Sequence, residues 1–239
     1  SDDTIETNAL EKAWSLAQVA DADIVAFGYN EVQERGGTVS RFLPKHQGIM
    51  ESPGSSRNLF AITNPACWNK LWRSSAISKN DIIFPENIYF EDLATTPIAC
   101  YHARRIAFID EPLYNYYIRD GSITNSATSK HISDILYVFF YLSEKFKELG
   151  VWEDQKYNCV RHVERAIKRH YKHAKTMHFI GIDESVYYRC LSVVKKAVQD
   201  IAVDTAIEDM STVDRVLLRS GKDRIQSVLA KIQFYKMLY

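Results

Sequence analysis

The sequence predicts an α/β domain over residues 1–128, followed by an all-helical domain over residues 129–239. A run of apolar residues at helical spacing leads directly into Asp23–Tyr29 (DIVAFGY), which is typical of a buried strand. A second strand is predicted at Arg105–Ile109 (RIAFI), and after about His131 only the helical period remains. A helix that leads into a buried strand is one unit of a layered α/β domain, so the first two patterns predict an α/β fold. The purely helical period after His131 predicts the helical domain.

The first helix is predicted to begin after the polar segment Glu6–Asn8. It is amphipathic, with an apolar face formed by Leu10, Ala13, Trp14 and Ala17. From Asn30 to about Asn58 the chain is rich in charge and contains glycines at positions 36, 37, 48 and 54. This composition predicts a loop or an irregular hairpin, and long excursions of that kind are often functional.

Asn64 and Pro65 predict the start of a further helix, with asparagine as the N-cap and proline in the first helical position. Within Trp68–Trp72 of this helix, the two tryptophans and the leucine would share one face. The asparagine and the lysine between them would point elsewhere. A core position is the favoured interpretation for the second tryptophan.

Two segments separate this predicted helix from the second strand. Ile82–Pro85 predicts a short extended piece, and Glu91-Asp92 predicts the start of another helix. Pro97 lies inside that helix or near its start. Since proline cannot donate a helical hydrogen bond, we expect a displaced first turn or a kink there.

The C-terminal part is predicted to contain four helices. The first covers Ile132–Leu149 and ends at Gly150, a residue type that commonly stops helices. The second is marked by apolar residues from Val160 to Ala174, the third by those from Val186 to Ile201. A last helix is predicted over Ile225–Tyr235.

Composition excludes several classes of function. Lysine plus arginine (30) equals aspartate plus glutamate (30), so the chain has no overall bias toward nucleic acid, and no nucleic-acid partner is predicted. There is no apolar run of about 18 residues and no secretion signal. The four cysteines are widely spaced without a CxxC pair, so they are interpreted as reduced core thiols of a cytoplasmic protein: Cys67, Cys100, Cys159 and Cys190.

Four short segments carry motif-like sequences, and they follow one another in the first part of the chain. They are Ser1-Asp2-Asp3 with the helix and strand after it, Trp68–Arg73 (WNKLWR), Phe84–Leu93 (FPENIYFEDL) and Asp110–Thr124 (DEPLYNYYIRDGSIT). In this order they resemble the DxD passage, the WNKLYR element, the FPEG…YEDL passage and the DEPLYYYR…GSIT passage of family 2 inverting glycosyltransferases. The resemblance covers about the first 125 residues and does not extend beyond His131.

The resemblance implies a partial GT-A domain and an inverting transfer of a hexose or N-acetylhexosamine. The donor would be a nucleotide sugar such as a UDP-sugar, and the acceptor a glycan, polyol-phosphate or lipid-linked molecule of surface polysaccharide synthesis. By its match to the ED motif, Asp92 is the candidate catalytic base, with Glu91 as a positioning neighbour. Plain capping of a helix N-terminus is the alternative for this acidic pair.

The resemblance also implies a divalent cation, Mn²⁺ or Mg²⁺, held by hard carboxylate oxygens. Asp2 matches the second aspartate of the DxD motif, and Asp3 follows it. The family's first aspartate would precede Ser1, as would the elements that bind the nucleoside. We therefore expect the chain to be a C-terminal portion that lacks most of the donor-binding half and has low activity by itself.

Two further groups of residues are candidates for substrate contact. Trp68, Asn69 and Lys70 are predicted to border the acceptor, with an indole face for sugar stacking and an ammonium for an anionic group. Arg119, Ser122 and Thr124 offer a cation and hydroxyl groups for phosphate or acceptor. A turn with a solvated arginine is the alternative for the second group.

A basic run within residues 161–175 predicts either a solvated helix face or contact with a phospholipid surface or a polyanionic acceptor. Peripheral binding at the inner face of the membrane would follow from that contact. The histidines at 162, 170, 173 and 178 lie without cysteine or carboxylate at ligand spacing, so no metal site is predicted there. The alternative function is a non-catalytic helical interaction module on a degenerate GT-A platform.

Overall fold

The computed structural model describes residues 3–33, 37–118, 128–176, 178 and 183–196. Six strands and six α-helices lie within these ranges. In chain order they are β1 (Thr4–Ile5), α1 (Ala9–Ala20), β2 (Ile24–Gln33), β3 (Thr38–Phe42), β4 (Gly48–Glu51), β5 (Lys70–Trp72), α2 (Ser74–Lys79), α3 (Glu91–His102), β6 (Arg105–Ile118), α4 (Ser129–Glu148), α5 (Trp152–Thr176) and α6 (Glu184–Lys196). Short 3₁₀ helices form at Pro53–Ser55 and Leu59–Ala61.

The described residues group into two compact units. One contains the residues up to 118 together with 145–158, and the other contains 128–144 together with those from 159 onward. The domain boundary after residue 128 remains a prediction. None of the helices in the described ranges is long and apolar enough to cross a bilayer.

The first unit is built on one six-stranded sheet whose centre is the parallel pair β2 and β6. β5 and β3 pair in succession along the outer edge of β2, both antiparallel to it. β4 and β1 pair along the outer edge of β6 in the same way. Both predicted strands are therefore confirmed, but each is longer than its apolar run. The predicted loop or hairpin after Asn30 contributes β3 and β4.

Helix α1 packs on the sheet through alanines, and its predicted apolar face was partly wrong. Ala9, Ala13, Ala17 and Ala20 are buried in the core of the unit, together with apolar residues of β2 and β6. Leu10 and Trp14 are 64% and 60% exposed. Small side chains let the helix approach the sheet closely, so the buried stripe follows the alanines and not the bulkiest residues.

The helix predicted after Asn64-Pro65 was wrong, because residues Lys70–Trp72 form strand β5. Ile24, Val25 and Ala26 of β2 pair with it in antiparallel register. Asn64 does form the local hydrogen bond of a capping residue, since its Oδ1 accepts from the backbone N–H of Ala66 at 2.9 Å. This hydrogen bond closes a local turn at residues 64–66, and no helix follows it before β5.

The remaining helix predictions within the described ranges are confirmed. Helix α3 begins at Glu91 and continues past Pro97 to His102. Helix α4 ends before Gly150, which has a φ of +71° that suits glycine. Helix α5 covers the predicted second apolar pattern, and α6 covers the third as far as Lys196. The rest of the third pattern, at 197–201, and the fourth, at 225–235, lie outside the described residues.

Candidate active site

Asp92 lies in the first turn of α3, and its carboxyl group is held by the helix itself. Its Oδ1 accepts a hydrogen bond from the backbone N–H of Leu93 at 2.8 Å. Burial, and then the neighbouring charge of Glu91, raise the pKa of Asp92 to about 6. The charge of Lys70 and the N–H of Leu93 act in the opposite direction. Asp92 is therefore ionised at neutral pH but basic for a carboxylate.

The residue before this acidic pair has a strained backbone. Phe90 is the N-cap of α3 and lies in the left-handed region, with φ 66° and ψ 32°. A non-glycine residue there costs about 1–2 kcal/mol, which the surrounding fold must offset. Such strain is concentrated at functional sites, so it supports a special role for the segment that carries Glu91 and Asp92.

The segment 64–70 approaches α3 and is organised around the buried ammonium of Lys70. Its Nζ donates to the carbonyl oxygen of Asn64 at 2.7 Å, to Oδ1 of Asn69 at 2.8 Å and to the carbonyl oxygen of Ala66. Burial lowers the pKa of Lys70 to about 8, and nearby acidic groups including Asp92 partly offset that effect. The lysine is thus an internal group of the site.

Side chains of α3 hold the segment 64–70 and the extended piece at 82–85 in place. Thr96 donates through Oγ1 to the carbonyl oxygen of Pro65 at 2.5 Å, and Thr95 donates to the carbonyl oxygen of Ile83 at 3.2 Å. Cys67 lies close enough to both acidic residues for them to add to the effect of burial in raising the pKa of its thiol. Sequence reasoning missed Cys67 and Thr96, since neither residue type carries a signal of its own.

Asn69 ties the segment to the sheet. Its Nδ2 donates to the carbonyl oxygen of Phe27 in β2 at 2.8 Å, and its side chain is buried. Both of its polar groups are therefore used within the protein. The predicted contact of Asn69 with an acceptor stays a prediction.

Trp68 belongs to an aromatic cluster, defined here as Tyr29, Phe42, Trp68, Tyr114 and Tyr116. Its ring stacks on Tyr114 at 4.4 Å and on Tyr116 at 5.5 Å between centroids. Tyr29 meets it edge-on at 4.9 Å and stacks in turn on Phe42 at 4.7 Å. The cluster lies toward the carboxyl ends of the parallel strands β2 and β6, the edge where α/β sheets commonly bind ligands.

Asp3 lies beside this cluster, at the outer edge of β6. Its Oδ2 accepts from the hydroxyl of Tyr114 at 2.7 Å, and its Oδ1 accepts from the backbone N–H of Tyr117 at 2.9 Å. Hard carboxylate oxygen is the donor that Mn²⁺ and Mg²⁺ prefer, so the chemistry of Asp3 fits such a cation. Within the described ranges, no three His, Cys, Asp or Glu side chains converge to hold a metal.

The structure describes six of the ten predicted site residues. Asp2, Arg119, Ser122 and Thr124 lie outside the described residues. Trp68, Asn69, Lys70, Glu91 and Asp92 are brought into one region by the segment 64–70 and the start of α3. This region combines a raised-pKa carboxyl with an aromatic cluster, which suits proton transfer from a bound hydroxyl compound.

No protein-family model and no curated protein matches this sequence. Among solved structures, the chain is similar to S. aureus TarS 1–349 in complex with UDP-GlcNAc. The TM-score is 0.53 at 18% identity, over 82% of this chain and 55% of that chain. The chain shares the fold of TarS. A second structure of S. aureus TarS 1–349 gives a TM-score of 0.41 at 15% identity, over 82% of this chain and 65% of that chain.

The likeness to TarS confirms the predicted α/β class with a GT-A-like sheet. At this level of identity it shows the fold alone. The chain spans little more than half of the TarS chain, so the activity of the whole protein, its substrates and its partners are matters for proposal.

Proposed function

We propose that this chain is part of an inverting glycosyltransferase that transfers a sugar from a UDP-sugar to a hydroxyl group of a surface polysaccharide or its precursor. The raised pKa of Asp92, at the start of α3 in a TarS-like fold, carries the proposal. The TarS structure contains UDP-GlcNAc, which supports a nucleotide-sugar donor and makes N-acetylglucosamine the first sugar to test.

In the proposed reaction the acceptor hydroxyl oxygen forms a bond to the anomeric carbon as the bond to the diphosphate breaks. The hydroxyl proton passes to Asp92, and the diphosphate leaves with the bonding electron pair. A base with a pKa of about 6 is mostly ionised at pH 7 and still a stronger base than an ordinary aspartate. Glu91 contributes by keeping that pKa high through its charge.

A divalent cation, when bound, would neutralise the negative charge of the diphosphate leaving group. Asp2 and Asp3 are the residues proposed to hold it. The hydrogen bonds from Tyr114 and Tyr117 fix the orientation of the Asp3 carboxylate, which limits the rearrangement needed for binding. Arg119, Ser122 and Thr124 are proposed to contact the phosphates.

The acceptor is proposed to lie between Asp92 and the aromatic cluster. Sugar rings pack readily on indole and phenol faces, and the cluster lies along the segment 64–70 that approaches the base. A glycan, a polyol-phosphate or a lipid-linked glycan each offers the hydroxyl group that this chemistry needs. Trp68 is the residue of the cluster proposed to border it.

A helix face of the second unit supports a peripheral membrane location. Six cations of α5 are exposed: Arg161, Arg165, Lys168, Arg169, Lys172 and Lys175. One of them, Lys168, forms an ion pair with Glu164, with 3.3 Å between Nζ and Oε1. Each exposed cation near an anionic bilayer contributes about 1 kcal/mol of attraction, so such a face suits the cytoplasmic leaflet.

Membrane binding is tested by sedimentation of the chain with phosphatidylglycerol vesicles at low and physiological salt. The variant Arg165→Glu/Lys172→Glu should bind at least tenfold more weakly. The control Lys45→Glu/Lys79→Glu changes exposed charges of the first unit and should bind as the parent does. Equal binding by both variants would reject this face as the contact.

The catalytic proposal is tested by transfer assays on the full-length protein that contains this chain, with UDP-GlcNAc and other UDP-sugars. Loss of a general base lowers the rate by about 10²–10⁴-fold, which is expected for Asp92→Asn. Glu86→Gln is the control, because Glu86 is an exposed carboxylate of the same segment. Unchanged transfer by Asp92→Asn would contradict the proposed base, and absence of transfer with every donor would favour a non-catalytic interaction module.

A further inference from the structure

The ammonium of Lys70 has its hydrogen-bonding capacity used within the protein. A lysine ammonium carries three donors. They meet the carbonyl oxygens of Asn64 and Ala66 and the side-chain oxygen of Asn69, and only 7% of the residue is exposed. An anionic acceptor could therefore reach this nitrogen only by displacing one of these oxygens.

The three acceptors belong to a segment that is fixed at both ends. Nδ2 of Asn69 donates to the carbonyl oxygen of Phe27 in the central strand β2. On the other side, Oγ1 of Thr96 donates to the carbonyl oxygen of Pro65. Thr96 follows Asp92 by one helical turn, so the two side chains lie on the same side of α3. The segment around Lys70 thus spans from the sheet to the helix that carries the proposed base.

We propose that Lys70 is a positioning residue, whose buried ammonium folds the segment 64–69 against α3 and places a fixed positive charge near Asp92. This inference rests on the proposed function for its catalytic meaning. It reassigns Lys70 from acceptor contact to the interior of the site. The acceptor then contacts the surface of the segment at Trp68, and Lys70 lies behind that surface.

Electrostatics gives the inference a measurable consequence. Burial and the charge of Glu91 raise the pKa of Asp92, while Lys70 lowers it. Without the ammonium, the Asp92 carboxyl would keep the first two influences and lose an opposing one. Its pKa should therefore rise further, and the base would be protonated over more of the neutral range. Removal of a distant, exposed lysine should have no such effect.

The first experiment observes the side-chain ammonium groups of the chain by ¹H–¹⁵N NMR. A buried, fully hydrogen-bonded Lys70 should give a slowly exchanging ammonium signal that titrates near pH 8, whereas exposed Lys79 should exchange rapidly. This measurement needs no variant and no activity. Rapid exchange at Lys70 with an ordinary lysine titration would overturn the inference.

The second experiment follows the Asp92 carboxyl by ¹³C NMR in the parent chain, in Lys70→Met and in Lys79→Met. A charge within several ångströms shifts a titration by about one pH unit, so Lys70→Met should titrate about that much higher. Lys79→Met should match the parent. An unchanged Asp92 titration in folded Lys70→Met would reject the electrostatic role. Should that variant not fold, the ammonium measurement on the parent decides.

Kinetics of the full-length protein then separates positioning from acceptor binding. A positioning role predicts a lower kcat and an acidic limb of the pH–rate profile that moves to higher pH in Lys70→Met. Direct contact with an anionic acceptor predicts instead a raised KM with an unmoved profile, which would overturn the inference. If the full-length protein shows no transfer, the proposed function fails, and the two NMR results still decide the place of Lys70.

Discussion

The guanidinium of Arg104 binds both carboxylate oxygens of Asp23, with Nη2 to Oδ1 at 2.8 Å and Nε to Oδ2 at 3.1 Å. Asp23 is 4% exposed and also pairs with Nε of Arg73 at 2.9 Å. Asp23 directly precedes β2, Arg73 directly follows β5, and Arg104 directly precedes β6. One buried carboxylate therefore joins the ends of three strands.

Asp23→Asn should destabilise the first unit, because the amide cannot match two guanidinium groups. Hydrogen bonds to charged groups contribute about 1.5–3 kcal/mol, so we expect the free energy of unfolding to fall by about 2–3 kcal/mol in urea denaturation. Glu51→Gln is the control, since its pair with Arg105 is exposed and worth under about 1 kcal/mol. Equal losses in the two variants would contradict the special role of Asp23.

The ion pair between Asp23 and Arg104 also predicts that stability depends on pH. Burial acts to raise the pKa of Asp23, but hydrogen bonds and charge from Arg104 outweigh it, so the pKa lies below its ordinary value of 3.8. A carboxyl with a lowered pKa stabilises the fold above its unfolded pKa, and that contribution is lost as the pH falls further. The difference between parent and Asp23→Asn should therefore shrink below about pH 4.

Asp92→Asn should make the fold more stable at pH 7.5, although it removes the proposed base. The pKa of Asp92 is raised to about 6, so the folded state binds this proton more tightly than the unfolded chain does. The associated stability is present below about pH 4 and is lost as the pH rises through about 6. At pH 7.5 the neutral amide avoids that loss, and we expect a gain of about 2 kcal/mol.

Urea denaturation at pH 7.5 and pH 4 checks this expectation. The gain should be present at the higher pH and absent at the lower one, where Asp92 is itself neutral. Glu86→Gln, at an exposed position, should change neither value. A destabilised Asp92→Asn at pH 7.5 would mean that the carboxylate serves the fold, as a simple helix-capping group would.

Gly28→Ala should destabilise the centre of the sheet. A Cβ at position 28 would lie 2.6 Å from the carbonyl oxygen of Phe42 and 3.0 Å from that of Glu111, where the register of β2 and β6 shifts. Overpacking against backbone typically costs 1–3 kcal/mol, and we expect about 2–3 kcal/mol here.

Gly150→Ala is the comparison for this substitution, because a Cβ there meets nothing within 4 Å and only the positive φ is unfavourable. Its expected loss is about 1 kcal/mol. Denaturation midpoints of the two variants at one pH separate the steric from the conformational effect. A smaller loss for Gly28→Ala than for Gly150→Ala would show that β2 and β3 can separate freely at this point.

The sheet was predictable where apolar runs are continuous, as in Asp23–Tyr29 and Arg105–Ile109. Its polar continuations were not, since the second half of β6 is fixed by pairing with β2 and β1. The segment Trp68–Trp72 shows the limit of periodicity. Its three apolar residues are compatible with one face of a helix and equally with a short strand. The segment forms a strand because it pairs with β2.

The candidate site shows a similar division. The acidic pair was found from a motif, and helix α3 does begin there. The surroundings of Lys70 could not be predicted, because lysine is usually exposed and its three acceptors include two backbone carbonyls. Backbone acceptors leave no signature in the residue types, so only the fold reveals them.

The stacked histidines of the second unit predict that its stability falls in mild acid. His131 and His170 are buried and lie 4.9 Å apart with ring planes 13° from parallel. Burial, and then the neighbouring His131, lower the pKa of His170 to about 4. Its Nε2 has no hydrogen-bond partner among the described residues. The charge of His173 also lowers this pKa, and Tyr187 packs nearby. Among the described residues, a backbone hydrogen bond with Thr128 acts in the opposite direction.

A histidine with a lowered pKa stabilises the fold fully above its unfolded value of 6.5, and that contribution is lost as the pH falls toward 4. Allowing for partial hydration of the site, we expect a loss of about 1 kcal/mol at pH 5. Urea denaturation followed by helical circular dichroism at pH 7.5 and pH 5 measures it. His170→Phe should lose about 1 kcal/mol less than the parent over this interval, because phenylalanine cannot be protonated.

His178→Phe is the control, since His178 is exposed, and it should follow the parent. If His170→Phe shows the same acid loss as the parent, the histidine stack is hydrated enough to accept a proton. The acid sensitivity would then arise from other groups, and the buried pair would be a packing feature without a pH response.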